Sequence, residues 1–129
     1  MLAFLPASPM VGHLGIQLAE LKEDRAELLL PFADKLATAG DVVHGGAIAT
    51  LIDTAGMAAA WSDDVVPESR SGSTVSMNID FIAAARGSDL RARALVVRRG
   101  RSLCFTEVTV TDVDSQIVAR GSVIHRFGG

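Results

Sequence analysis

From Asp41 to Trp61 the chain reads DVVHGGAIATLIDTAGMAAAW. From Ala47 onward this stretch has no proline and one charge, Asp53. Ile48, Leu51, Ile52, Ala55 and Ala59 recur at helical spacing. A helix that is apolar nearly all round belongs inside its protein, so the pattern predicts one central buried helix over 47–61. His44-Gly45-Gly46 opens it as a strand-to-helix turn.

Everything outward of this helix reads as strand. Downstream, Ser73 to Ala85 alternates Val75, Met77, Ile79, Phe81 and Ala83 with Thr74, Ser76, Asn78, Asp80 and Ile82. Asp89 to Arg98, Leu103 to Thr111 and Gln116 to Phe127 follow as further strands, the second entered through a tight turn at Gly100. Upstream, Leu14 to Leu21 and Ala26 to Phe32 form a hairpin across Lys22-Glu23-Asp24. Residues 1–9, with Pro6 and Pro9, suit a turn or frayed helix. Asp34 to Gly40 and Asp63 to Gly72 suit loops. The expected class is α+β: about six strands in a curved antiparallel sheet around one helix.

Length and charge bound the function. At 129 residues the chain makes one domain, spanning 1–129, large enough for a core without staples. Apolar residues at 49% and charged residues at 21% exclude a disordered tail. A net charge of −3 leaves no basic excess for a phosphate backbone, so no nucleic-acid partner is expected. Cys104 is the single cysteine, which excludes an internal disulfide and a thiolate zinc site. His13, His44 and His125 are scattered, so no metal site is expected. Met1 to Gly12 lacks a signal-peptide pattern, and no apolar run approaches membrane-span length. A cytoplasmic protein with no membrane partner is expected.

Two features carry chemistry. Asp53 interrupts an apolar helix, and an unpartnered buried carboxylate would cost several kcal/mol. It therefore either bonds backbone, Thr50 or Thr54, or faces a cleft. HGG supplies free helix-start amides and close backbone approach for a ligand, able to receive a developing oxyanion; the plain alternative is a flexible turn. Six residues separate HGG from Asp53. An oxyanion-binding amide plus a carboxylate base or nucleophile is the minimum equipment for acyl hydrolysis. Yet His44 and Asp53, nine residues apart, stand about 13 Å apart along one helix and cannot touch the same carbonyl. A symmetric dimer would bring the Asp53 of one subunit to the helix start of the other.

With STVSMNIDFIAAA (73–85), RRGRSLCFTEVTVTD (98–112) and IVARGSVIHRF (117–127) added, the 41–61 stretch resembles the hotdog-fold acyl-CoA thioesterases, in their phenylacetyl-CoA (PaaI-like) branch. The resemblance runs from Leu14 to Phe127. It implies a hotdog domain that hydrolyses an acyl-CoA to free acid and CoA, needs no metal or redox cofactor, and works as a homodimer or homotetramer. Asp53 falls at the catalytic carboxylate, general base or nucleophile. Gly45 falls at the amide that polarises the thioester carbonyl, and His44 helps place the thioester. Thr74 falls where relatives often carry a small hydroxyl or a glycine near the carboxylate, a place from which it could position the water. Gly46, Phe81, Ile82, Ala83 and Ala84 fall on the substrate-binding side. Phe81 to Ala84 and the turn Arg98, Arg99, Gly100, Arg101, Ser102 and Leu103 fall at the CoA portion, where guanidinium groups suit phosphates.

This chain departs from the family in Leu36-Ala37-Thr38-Ala39-Gly40, which lacks the Asn or Gln many relatives carry before HGG; Thr38 is the candidate substitute. FIAAAR likewise lacks a proline often found after the third strand. Two competing functions follow from the fold: a non-catalytic acyl-CoA sensor, which has no need of Asp53, and a hotdog dehydratase, which places its His and acid differently. Met57 and Trp61 read as core or acyl-pocket lining, Cys104 as a small buried hydrophobe, His125 as a strand position, and Arg86, Arg91 and Arg93 as solvated positions.

Overall fold

The computed structural model describes residues 8–62 and 72–128. The loop expected from Asp63 lies outside these up to Ser71, and Gly72 already belongs to a strand.

The chain enters through a short helix, α1 (Pro9–Leu14), where 14–21 reads as strand by alternation. Pro9 sits at the start of α1, where its missing N–H costs nothing. Gly15 ends it at φ 78°, a left-handed value that favours glycine. Strand β1 therefore begins only at Gln17 and runs to Lys22 (Gln17–Lys22). β2 (Arg25–Leu30) pairs with it antiparallel and stops before Pro31. A single 3₁₀ turn, Asp34–Leu36, leads toward the central helix α2 (Gly45–Ala60). Then come β3 (Gly72–Phe81), β4 (Leu90–Arg99), β5 (Leu103–Thr111) and β6 (Ile117–Phe127). β3 is shorter than 73–85, because Ile82 and Ala83 turn their amides to the Val118 carbonyl instead of a ladder.

All six strands form one antiparallel sheet in the order β1-β2-β4-β5-β6-β3, curved around α2 in the hotdog arrangement. Leu28, Leu30, Leu90, Val108, Val110 and Val123 meet Leu51 and Ile52 of α2 to form the core. The small residues of α2 let helix and sheet approach closely. A Cβ on Gly56 would stand 2.9 Å from Val123 Cβ, closer than side chains pack.

Two β-bulges decide which side chains face the helix. In β3 the register skips between Thr74, opposite His125, and Ser76, opposite Ile124. Strict alternation would put Thr74 on the outer face with Ser76, Asn78 and Asp80. The extra residue, Val75, turns Thr74 to the helix side. In β4 the register skips between Val96 and Arg98. Here the bulge turns Arg98 outward and Arg99 inward.

Candidate active site

Asp53 lies half-buried midway along α2 and accepts a hydrogen bond from Thr74 Oγ1 at 2.6 Å. Thr50 and Thr54 are not its partners: each donates its hydroxyl to a carbonyl one turn back, Gly46 O at 2.9 Å and Thr50 O at 2.7 Å. The carboxylate is therefore held by the sheet through Oδ1, and no hydrogen bond reaches its other oxygen among the described residues.

The start of α2 is a second, separate locus. His44 is its N-cap, with Nδ1 accepting from the Gly46 amide at 2.8 Å, while its own amide donates to Leu36 O at 2.7 Å. HGG is thus the cap and first turn of the helix itself, which starts two residues earlier than the spacing suggests. The Gly45 N–H has no acceptor among the described residues, as expected for a first-turn amide. Phe81 lies against this glycine: a Cβ added there would stand 3.4 Å from its ring. Thr38, Gly45, Ile48 and Phe81 to Ala85 line a groove of about 370 Å³. The structure so brings together Gly45, Phe81, Ile82, Ala83 and Ala84, and places Thr38 beside them.

These loci do not meet within one chain. Asp53 stands eight positions after Gly45 on α2, about 12 Å along the axis.

The 98–103 turn lies at the other end of α2, and one of its arginines is misread by sequence. Arg99 does not reach outward to phosphate. Its guanidinium donates to Asp24 Oδ1 at 2.7 and 3.0 Å and to the Ala60 and Ala59 carbonyls at 2.8 and 3.3 Å. A cation on the last carbonyls of a helix is favourably placed against the helix dipole. Arg98 and Arg101 remain exposed. Gly100, Ser102 and Leu103 shape the turn: the Gly100 amide donates to Leu103 O and the Phe127 amide to Ser102 O.

Sequence reasoning missed the surroundings of His125. It is 2% exposed on the helix side of β6, opposite Thr74. Trp61 Nε1 donates to its Nε2 at 2.7 Å. Burial holds its pKa below the ordinary histidine value, against the opposing pull of the Asp53 charge. The available signal was period two along β6, which puts residue 125 on the face of Val123.

Among the described residues no helix is long and apolar enough to cross a membrane. A model of the thioesterase superfamily matches residues 40–119. The chain is 36% identical over 104 residues to a Halobacterium salinarum protein named as an inferred esterase, covering 78% of this chain and 68% of that one. It is 34% identical over 89 residues to acyl-coenzyme A thioesterase 13 of Pongo abelii, covering 67% and 61%. The PaaI protein of the E. coli phenylacetic acid degradation operon superposes with a TM-score of 0.87 at 21% identity, over 98% of this chain and 89% of that one, a likeness of fold. With the family match running through HGG, Asp53 and Thr74 and spanning well over half the chain, this protein belongs to the thioesterase superfamily.

Proposed function

We propose that the protein hydrolyses an acyl-CoA thioester to the free acid and CoA, in the manner of the PaaI-like branch, at a site shared by two copies of the chain in the cytoplasm. One observation carries this reading: the carboxylate held by Thr74 and the unpaired Gly45 amide lie on one helix, about 12 Å apart. A two-fold partner would supply the missing half of each site. β3 suits that contact. It is an edge strand that leaves Val75, Met77 and Phe81 largely exposed, with Ile82 just beyond. Such an edge invites pairing with another strand.

In the proposed reaction Asp53 takes a proton from water while the water oxygen bonds to the thioester carbon. The partner's helix start receives the oxyanion through its Gly45 amide. The C–S bond then breaks and CoA leaves as thiolate, taking up a proton from solvent. Asp53 as nucleophile, through an anhydride, is the variant of the same chemistry. His44, through its cap bond, orients the Gly46 turn. The name of the Pongo abelii relative supports the acyl-CoA class, and the sequence resemblance to the PaaI-like branch points to an aromatic or medium-chain acyl group. Asp53 argues against a non-catalytic sensor.

A panel of acyl-CoAs with free-thiol detection, run on wild type and Asp53→Asn, tests this. Wild type is expected to release thiol from at least one member. Asp53→Asn should melt like wild type and turn over about 10²–10⁴-fold more slowly. No release from any member overturns the acyl-CoA assignment, and equal rates overturn the role of Asp53.

A further inference from the structure

Behind the Asp53–Thr74 pair stands a titratable ring that the proposed reaction leaves unused. His125 packs edge-on to Trp61 and Phe127, with ring centroids 5.7 and 5.5 Å away. Thr74 is its register partner on the same face. Cβ atoms directly opposite in an antiparallel pair stand about 4.5–5.5 Å apart. The imidazole and the hydroxyl that holds Asp53 therefore leave the sheet side by side on its helix face.

One hydrogen bond settles its protonation state. Indole N–H only donates, so His125 Nε2 must carry a lone pair to accept from Trp61. A cationic ring has N–H on both nitrogens and cannot accept. While this bond lasts, the ring is neutral with its proton on Nδ1, a buried atom with no partner among the described residues. Among the groups around it, the Asp53 charge pulls toward the cation, and burial outweighs that pull. Asp53 faces it from α2. Arg99, from β4, lies over the Phe127 ring and is committed to Asp24 and the helix carbonyls. Cys104, opposite on β5, is a buried thiol beside Thr106.

We propose, building on the thioesterase reading above, that His125 is a positioning residue of the site: locked neutral by Trp61, it backs the Thr74–Asp53 pair as an uncharged wall and so preserves the basicity of Asp53. A cation there would stabilise the carboxylate and weaken it as a base. Trp61 thus acts two contacts away from the chemistry, by denying His125 a second proton.

The test uses the intact protein. In ¹⁵N spectra of the imidazoles followed from about pH 8 to 5.5, wild-type His125 should show the Nδ1–H tautomer and protonate less readily than an ordinary histidine. Trp61→Phe keeps an aromatic ring and frees Nε2. In that variant His125 should titrate within the window, and the ratio of kcat/KM at pH 8 to that at pH 5.5 should be at least about fivefold larger than in wild type. In Trp61→Phe/Asp53→Asn the titration should move to lower pH, because the attracting charge is gone. A wild-type Nε2–H tautomer, a wild-type ring that protonates at the ordinary value, an unchanged rate ratio in a Trp61→Phe protein whose His125 does titrate, or no movement in the double variant overturns the proposal. Should Trp61→Phe fail to fold, the wild-type spectrum still decides. Absence of hydrolysis with every acyl-CoA overturns the functional reading instead, while the spectra judge the coupling of His125 to Trp61 and Asp53.

Discussion

Thr74 shows how much a single side chain depends on local register. Its hydroxyl is the one side-chain donor to Asp53 among the described residues. Thr74→Val keeps the β-branched shape that a strand prefers and deletes that donor. Turnover with the best acyl-CoA is expected to fall about 10–100-fold with little change in KM, as befits loss of an interaction that orients the base; an unchanged kcat would remove Thr74 from the site. Arg99 gives the opposite case. Arg99→Ala should lower stability by about 1–3 kcal/mol in urea melts, through loss of its bonds to Asp24 and to the end of α2, and leave KM for acyl-CoA unchanged. Arg98→Ala/Arg101→Ala is expected to raise KM for acyl-CoA and not for a short thioester without the nucleotide. Asp53 and Gly45 were legible because a charge in an apolar helix and a double glycine at its start are anomalies of composition. Hydrophobic pattern alone hid the inward turn of Arg99 and the partner of Asp53, which only the family resemblance placed near the carboxylate. Each rests on one bulge, and a bulge shifts parity without leaving a mark in hydrophobic pattern.

At the scale of elements, α2 was readable because its pattern is long and nearly unbroken, and the C-terminal strands because they alternate cleanly. α1 was not. Its six residues are too few to establish a period, and Leu14 and Ile16 continue the alternation of β1 by coincidence. What composition did show is a helix of small residues, and the structure explains the use: α2 lies so close to β6 that Gly56 meets Val123 directly. Gly56→Ala would gain about 1 kcal/mol in helix propensity. The overpacking it forces costs about 1–3 kcal/mol. A net loss of up to about 2 kcal/mol is expected, read as a lower denaturation midpoint; a gain would show that α2 can slide away from the sheet.

Acid response belongs to the whole molecule and has two separate origins. His125 is held neutral by burial, below its usual 6.5, so between that value and its folded one the unfolded chain binds more protons. Its contribution is complete above pH 6.5 and declines as the pH falls below it. Glu27, on the outer face, accepts from Arg93 at 2.8 Å and from Arg91, and these partners, Arg93 first, hold its pKa below 4.5 against partial burial. Its contribution is complete above 4.5 and is lost below. Urea midpoints should therefore fall in two stages on acidification. His125→Asn should flatten the first and Glu27→Gln the second. Assembly is tested at the same scale. Proline is tolerated at the first residue of a helix and has no N–H, so Gly45→Pro removes the amide while leaving α2 intact. Asp53→Asn and Gly45→Pro proteins should each be inactive. Mixed and allowed to exchange, they should recover about a quarter of wild-type activity, since half the dimers are hybrid and each hybrid holds one whole site. No recovery after verified exchange would mean a site complete in one chain.

The open edge of β3 then has a consequence in mass action. On the shared-site reading, a solitary chain owns both halves of the chemistry and can use neither. Well below the dissociation constant of the pair, the number of working sites grows as the square of chain concentration. Specific activity should fall in proportion to dilution, and a substrate that spans both chains should restore it by holding them together. Catalysis would thereby report how much of the protein is present, with no further regulator required.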